Sequence, residues 1–107
     1  MVRSVAALLA LLCTSSVTME MIDVRGRGTV DLAPYACTDT PRSTVVQRVC
    51  YDEAQHHLLV NVGGAYSEYC RLPAATFDAF VVASSMGQFF WQRIATAAAP
   101  FACERAN

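Results

Sequence analysis

Three short stretches rich in β-branched and aromatic residues, separated by polar or glycine turns, give way at Pro73 to apolar residues at helical spacing. Thr44-Val-Val-Gln-Arg-Val-Cys-Tyr51 predicts a strand that stops at Asp52-Glu53. His57-Leu-Leu-Val-Asn-Val62 predicts a second, and Gly63-Gly64 a tight turn into a third, Ala65-Tyr-Ser-Glu-Tyr-Cys-Arg71. Pro73 suits the first turn of a helix, where its missing amide hydrogen would have had no partner. Phe77, Phe80, Val81 and Ser84 then describe a stripe facing the sheet and predict a helix from about Ala74 to Ala83. Ser84 or Ser85 can cap a second helix carrying Met86, Phe89, Phe90, Trp91 and Ile94, an aromatic group expected in the core.

The segment from Met19 to Ser43 is less regular, because Gly26, Gly28, Pro34 and Pro41 interrupt any long element. It predicts an extension wrapped on the domain, with one short strand at Thr29-Val-Asp-Leu32 and with Cys37 tying it down. The expected fold class is therefore α+β: a three-stranded antiparallel meander followed by two helices packed on one face, with a disulfide-tied N-terminal extension. Residues 1–18 are expected to be a signal peptide, 19–42 the extension and 43–103 the domain.

The leader has a positive start at Arg3, an apolar run from Val5 to Cys13 and a small polar region Thr14-Ser-Ser-Val-Thr18. Between Arg3 and Glu20 it is shorter than the ~20 apolar residues of a spanning helix, so cleavage and export without a stable membrane span are expected. Removing 18 of 107 residues leaves 89, and takes Cys13 out of the five cysteines. The remaining four, Cys37, Cys50, Cys70 and Cys103, are even in number, as suits disulfides in an oxidising space. Four cysteines allow three pairings. In a flat meander Cys50 and Cys70 would stand about 9.6 Å apart, two strand spacings, which argues against that pair.

A chain this short has a thin stability margin, so such staples are useful. Eight basic residues against nine acidic ones give a net charge of −1 and no electrostatic case for nucleic acid or an anionic membrane. The arginines Arg25, Arg27, Arg42, Arg48, Arg71, Arg93 and Arg105 are scattered among acids. No cofactor and no metal site is implied: the cysteines form no Cys-x-x-Cys element, and neighbouring His56 and His57 point to opposite faces of a strand. Asp52, Glu53, His56, His57 and serines 67, 84 and 85 offer acid–base and nucleophilic groups, but there is no Gly-x-Ser-x-Gly elbow, phosphate loop or His-Glu-x-x-His. The expected role is a binding or structural module rather than an enzyme. Tyr66, Glu68 and Arg71 are the candidate partner-binding surface, since tyrosine and arginine carry much interface energy, and an envelope protein is the class of partner that export would offer.

The ordered set Ser43-Thr44, Val49-Cys-Tyr-Asp52, Leu59-Val-Asn-Val62, Gly64, Tyr69, Leu72-Pro73, Ser85-Met-Gly87, Phe89-Phe90 and Ile94 resembles the KTSC domain, named for its place at the C-terminus of some lysyl-tRNA synthetases and also found as a stand-alone bacterial protein. Val30-Asp-Leu-Ala-Pro34, Cys37-Thr-Asp39, Arg48-Val-Cys-Tyr-Asp52 and Tyr69-Cys70 further resemble an exported four-cysteine bacterial subgroup. That likeness implies a periplasmic or secreted protein of a Gram-negative bacterium. RNA binding, suggested for the family, is the alternative function, and a small hydrolase a more remote one. The chain departs from the family where RNA contacts would lie, with Ser67 for a tyrosine, Met86 and Gln88 for basic residues, and Trp91 for an asparagine.

Overall fold

The computed structural model describes residues 19–104. The expected signal peptide and Arg105 lie outside the described residues. Six strands, β1 (Met21–Val24), β2 (Gly28–Asp31), β3 (Ala36–Asp39), β4 (Val46–Asp52), β5 (His57–Val62) and β6 (Ala65–Tyr69), form one sheet in the order β2-β1-β6-β5-β4-β3. Neighbours are antiparallel except β1 and β6, which run parallel and meet at Val24 and Tyr66. Helix α1 (Ala74–Val81) and the single turn α2 (Met86–Phe89) follow, and α2 runs on as a π turn through Phe90–Ile94.

This corrects the expected three-stranded meander with a wrapped extension. The extension supplies β1, β2 and β3, so the sheet has twice the expected strands and is mixed rather than antiparallel. The glycines and prolines that suggested an irregular arm occupy the turns between short strands. Gly26 and Gly28 sit at φ 79° and 99°, where a side chain would be strained, and close the β1–β2 hairpin. Pro34 and Pro41 fall in the connections on either side of β3. Strands of four residues are too short for period-2 alternation to stand out in the sequence.

The topology forces the sheet to roll. Edge strands β2 and β3 are five spacings apart in strand order, about 24 Å if flat. Yet only residues 32–35 join Asp31 to Ala36, a reach of at most about 18 Å even if extended. Those residues are not extended, because the Tyr35 amide donates to Leu32 O in a tight turn. The two edges therefore approach one another, and the sheet curls into half a barrel.

The curl gives the sheet two unlike faces. On the convex face, Val46, Val49, Tyr51, Leu58 and Val60 pack with Leu72, Phe80, Met86, Phe90 and Ile94 from the helical half. An irregularity between Val46 and Arg48 lets Val46 and Val49, three positions apart, share this face. The Tyr51 ring stacks on Phe77 at 4.4 Å, and its hydroxyl donates to Leu72 O at 2.6 Å. Ser85 caps α2 by accepting from the Gln88 amide at 3.2 Å. Trp91, expected in the core, is instead 56% exposed and lies edge-on to Phe90.

On the concave face a smaller cluster of Val24, Leu32, Cys50 and Leu59 is flanked by Ile22, Val30, Tyr35, Cys37 and Tyr66. The β1–β2 hairpin and the 32–35 turn thus cover the side of β4 and β5 that the helices leave open. Two disulfides fasten the ends. Cys37 pairs with Cys50, its facing residue across β3 and β4 with Cα atoms 4.0 Å apart, and Cys70 pairs with Cys103 in the C-terminal segment. Both are compatible with an oxidising compartment. Among the described residues no helix is long and apolar enough to cross a membrane.

Candidate functional site

Polar residues close both ends of the concave cluster. At one end Arg48 of β4 reaches across the sheet to Glu20, just ahead of β1, with both Nη atoms on the carboxylate at 2.7 and 3.0 Å. The same guanidinium donates to the Tyr66 hydroxyl at 3.2 Å. The hydrogen bond and charge of Arg48 lower the pKa of Glu20, while Glu20 and Tyr66 raise that of Arg48. This end is a clamp, with its charges spent on one another.

The other end is a connected chain of side chains from four segments. The register places His57 of β5 opposite Asp52 of β4, and Leu59, two residues on, opposite Glu68 of β6. His57 and Glu68 therefore lie on the concave face, and His57 Nε2 is 2.8 Å from Glu68 Oε1. The turn after β2 brings the Tyr35 hydroxyl against His57 Nδ1. The β1–β2 hairpin brings Arg27, whose Nε lies 2.6 Å from the same Oε1 of Glu68.

Burial, aided by the negative charge of Asp52, pushes the Tyr35 phenol pKa up. With the imidazole neutral, the phenol donates to Nδ1 and Nε2–H donates to Glu68. The order phenol, imidazole, carboxylate fixes one tautomer and one ring orientation. It does not make Tyr35 a nucleophile, because its anionic form is disfavoured.

Above this chain opens a cleft of about 310 Å³ lined by Arg27, Val30, Tyr35, Asp52, Gln55, His57 and Cys70. His57, 13% exposed, forms its inner wall and is backed by Glu68, 11% exposed, whereas Arg27 is 46% exposed at the rim. Asp52 is nearly buried and accepts from the Gln55 amide at 3.2 Å. A larger hollow of about 490 Å³ between the helices and the C-terminal segment is chiefly apolar, with Arg93 as its one charged wall residue.

The expected surface of Tyr66, Glu68 and Arg71 is divided by the fold. Tyr66 and Glu68 share the concave face, but Tyr66 belongs to the Arg48 clamp and Glu68 to the His57 chain. Arg71, at φ 59°, turns to the C-terminal segment and donates to Pro100 O and Ala102 O. Of the acid–base candidates, His57 enters the site with Asp52 beside it, while the adjacent His56 sits in the turn at φ 53°. Ser85 is spent as a helix cap. Sequence reasoning missed Tyr35 and Arg27 as site residues, since both lie in the segment read as a wrapped arm.

A family model for the KTSC domain matches residues 42–97, 56 of the 107 in the chain. The chain belongs to the KTSC domain family. No curated protein and no solved structure matches it. Two KTSC segments, Ser43-Thr44 and Ser85-Met-Gly87, meet around a hollow of about 140 Å³. There Ser43 Oγ accepts from the amides of Val45 and Val46, and Gly87 lies so close to Val45 that a Cβ would stand 2.9 Å from Val45 Cγ2. Their physical task in this chain is to seat α2 on the start of β4. The His57 chain, by contrast, takes Tyr35 and Arg27 from outside the matched residues.

Proposed function

We propose that this KTSC-domain protein is an exported binding module whose ligand site is the polar cleft at the open end of the curled sheet. The observation that carries this is Arg27. It spends Nε on Glu68, so the four N–H groups of its Nη atoms stand at a half-exposed rim above a nearly buried, orientationally fixed imidazole. A guanidinium so held is suited to a two-pronged grip on a carboxylate. Asp52 and the Gln55 side chain offer an acceptor and an amide inside the same cleft. The ligand class this favours is a small carboxylate-bearing solute that also carries a hydrogen-bond donor, such as an amino acid or the end of a short peptide. The reading is of binding rather than catalysis, since the phenol against His57 is held protonated and is a poor nucleophile. Export rests on the leader together with the two disulfides.

The test is an NMR titration of the oxidised protein, lacking residues 1–18, with amino acids, dicarboxylates and dipeptides. Shifts confined to Arg27, Tyr35, Gln55 and His57, and lost in Arg27→Ala, are expected. Absence of any response in those residues, or turnover that vanishes in His57→Ala, would refute the binding role. Perturbation by an RNA oligonucleotide centred on Trp91 and Arg93 would move the function to the helical face.

A further inference from the structure

The inner wall of the cleft holds more than a hydrogen-bonded chain. The Sγ atoms of Cys70 and Cys103, a ring nitrogen of His57 and a carboxylate oxygen of Glu68 all lie within 4.8 Å of one another. Two sulfurs, one nitrogen and one oxygen are a donor set that zinc accepts, in tetrahedral geometry with bonds of about 2.0 to 2.3 Å. We propose that reduction of the Cys70–Cys103 disulfide converts this wall into a zinc site made of Cys70, Cys103, His57 and Glu68. The disulfide is then a cap on a metal centre as well as a staple.

Three features of the surroundings favour it. First, cutting the bond does not release Cys103, because the C-terminal segment is held independently, and the sulfurs have only to part to the roughly 3.8 Å that separates two thiolates on one tetrahedral zinc. The Cys70 amide donates to Phe101 O at 2.7 Å, and Arg71 Nη2 donates to Ala102 O at 2.8 Å. Second, Tyr35 holds His57 from Nδ1, which aims Nε2 at Glu68, the kind of outer partner that orients a metal-binding imidazole. Third, Arg27 and His57 both engage Oε1 of Glu68, so Oε2 is open to a metal among the described hydrogen bonds. A zinc ion with two thiolates and one carboxylate carries one net negative charge, and the Arg27 guanidinium offsets it.

The step balances with a dithiol as reductant. The Sγ–Sγ bond accepts two electrons and two protons from the dithiol, which leaves as its own disulfide. Zinc then displaces the two thiol protons to solvent. The imidazole proton moves from Nε2 to Nδ1, the Tyr35 O–H turns away so that Nδ1–H now donates a hydrogen bond to the phenol oxygen, and Nε2 is free to bind the metal. Both cysteines are half-buried, so a reductant has access to the bond.

The site stands apart from the ligand cleft's proposed use, since it needs neither Arg27's free amino groups nor any organic ligand. It is tested on the full chain lacking only residues 1–18, reduced with a phosphine and titrated with Co²⁺ and then Zn²⁺. The expected result is one equivalent bound by the reduced protein and none at that affinity by the oxidised one. Cobalt should give tetrahedral d–d bands with a thiolate charge-transfer band. Zinc should protect Cys70 and Cys103, and not Cys37 or Cys50, from alkylation. His57→Ala and Glu68→Gln should each weaken binding by at least about tenfold, in line with lost metal-site partners. Equal binding in His57→Ala, protection of Cys37 and Cys50 instead, or a reduced protein that takes up no metal would each overturn the site.

Discussion

The convex face of the sheet is covered by two helices and packs as a single apolar layer, whereas the concave face is covered by a hairpin and a turn and is apolar only in its middle. The convex layer joins elements adjacent in sequence, from β4 through the π turn. The concave layer joins residues 20–37 to β4, β5 and β6, and its ends are polar because each must close against water. Apolar burial is concentrated where contacts are local and dry, and the cleft with its connected polar chain lies where distant segments meet.

The largest expected effect separates the two layers directly. Phe80 on the convex side is fully buried, and Phe80→Ala should cost about 3 to 5 kcal/mol in urea unfolding. Leu59 is equally buried on the concave side, but the hairpin above it can settle into the gap. Leu59→Ala should therefore cost about 2 kcal/mol, the low end for such a change. Equal losses would mean that the hairpin is packed as firmly as the helices.

The disulfides come next. Cys70–Cys103 spans 33 positions and Cys37–Cys50 spans 13. Loop-closure entropy alone gives about 4 kcal/mol for Cys70→Ser/Cys103→Ser and about 3 kcal/mol for Cys37→Ser/Cys50→Ser. The reverse ranking in thermal unfolding would show that edge strand β3 stays on the sheet only through its sulfur link.

How far the sequence could be read follows the same division. The β-branched runs of β4 and β5 and the Gly63-Gly64 turn mark strands through local pattern, and Pro73 and Ser85 mark helix starts through local chemistry. The roll of the sheet is not local: it depends on four residues joining two opposite edges, and nothing in Leu32-Ala-Pro-Tyr35 announces which strands those edges are. For this reason Tyr35 and Arg27 were invisible as site residues, and His57 and Glu68 drew attention for separate reasons without being seen as partners. The same limit applies to the metal-capable cluster. Spacing rules look for ligands close in sequence, and here the donors come from β5, β6, the residue after it and the C-terminal segment. Trp91 was misplaced because the π turn shifts the helical phase after Phe89, so its ring is left outside the core.

The smallest effect concerns the clamp at the far end of the concave face. Arg48 holds the Glu20 carboxyl below its ordinary pKa of 4.5, chiefly through the hydrogen bond. A depressed folded-state pKa means that the contribution is complete above the unfolded value and is lost as pH falls through the folded one. Wild type and Glu20→Gln should thus differ by a small, constant amount at neutral pH, and the difference should fade only below about pH 4.5, where the unfolded carboxylate begins to bind protons. A difference that instead grew toward low pH would mean that the clamp opposes closure of the concave face. Added salt should shrink the difference at neutral pH, as expected of an exposed pair.

The central claim is that the sheet rolls until the turn after β2 touches β5, which is what assembles the Tyr35, His57 and Glu68 chain. Its most direct test is a nuclear Overhauser measurement on the oxidised protein between the Tyr35 and His57 rings, whose centroids stand 5.7 Å apart. Cross-peaks between those rings, together with contacts from Val24 to Leu59, are the predicted result. A spectrum in which residues 20–37 contact one another but not β5 would contradict the rolled sheet, and with it the cleft and the site built on it.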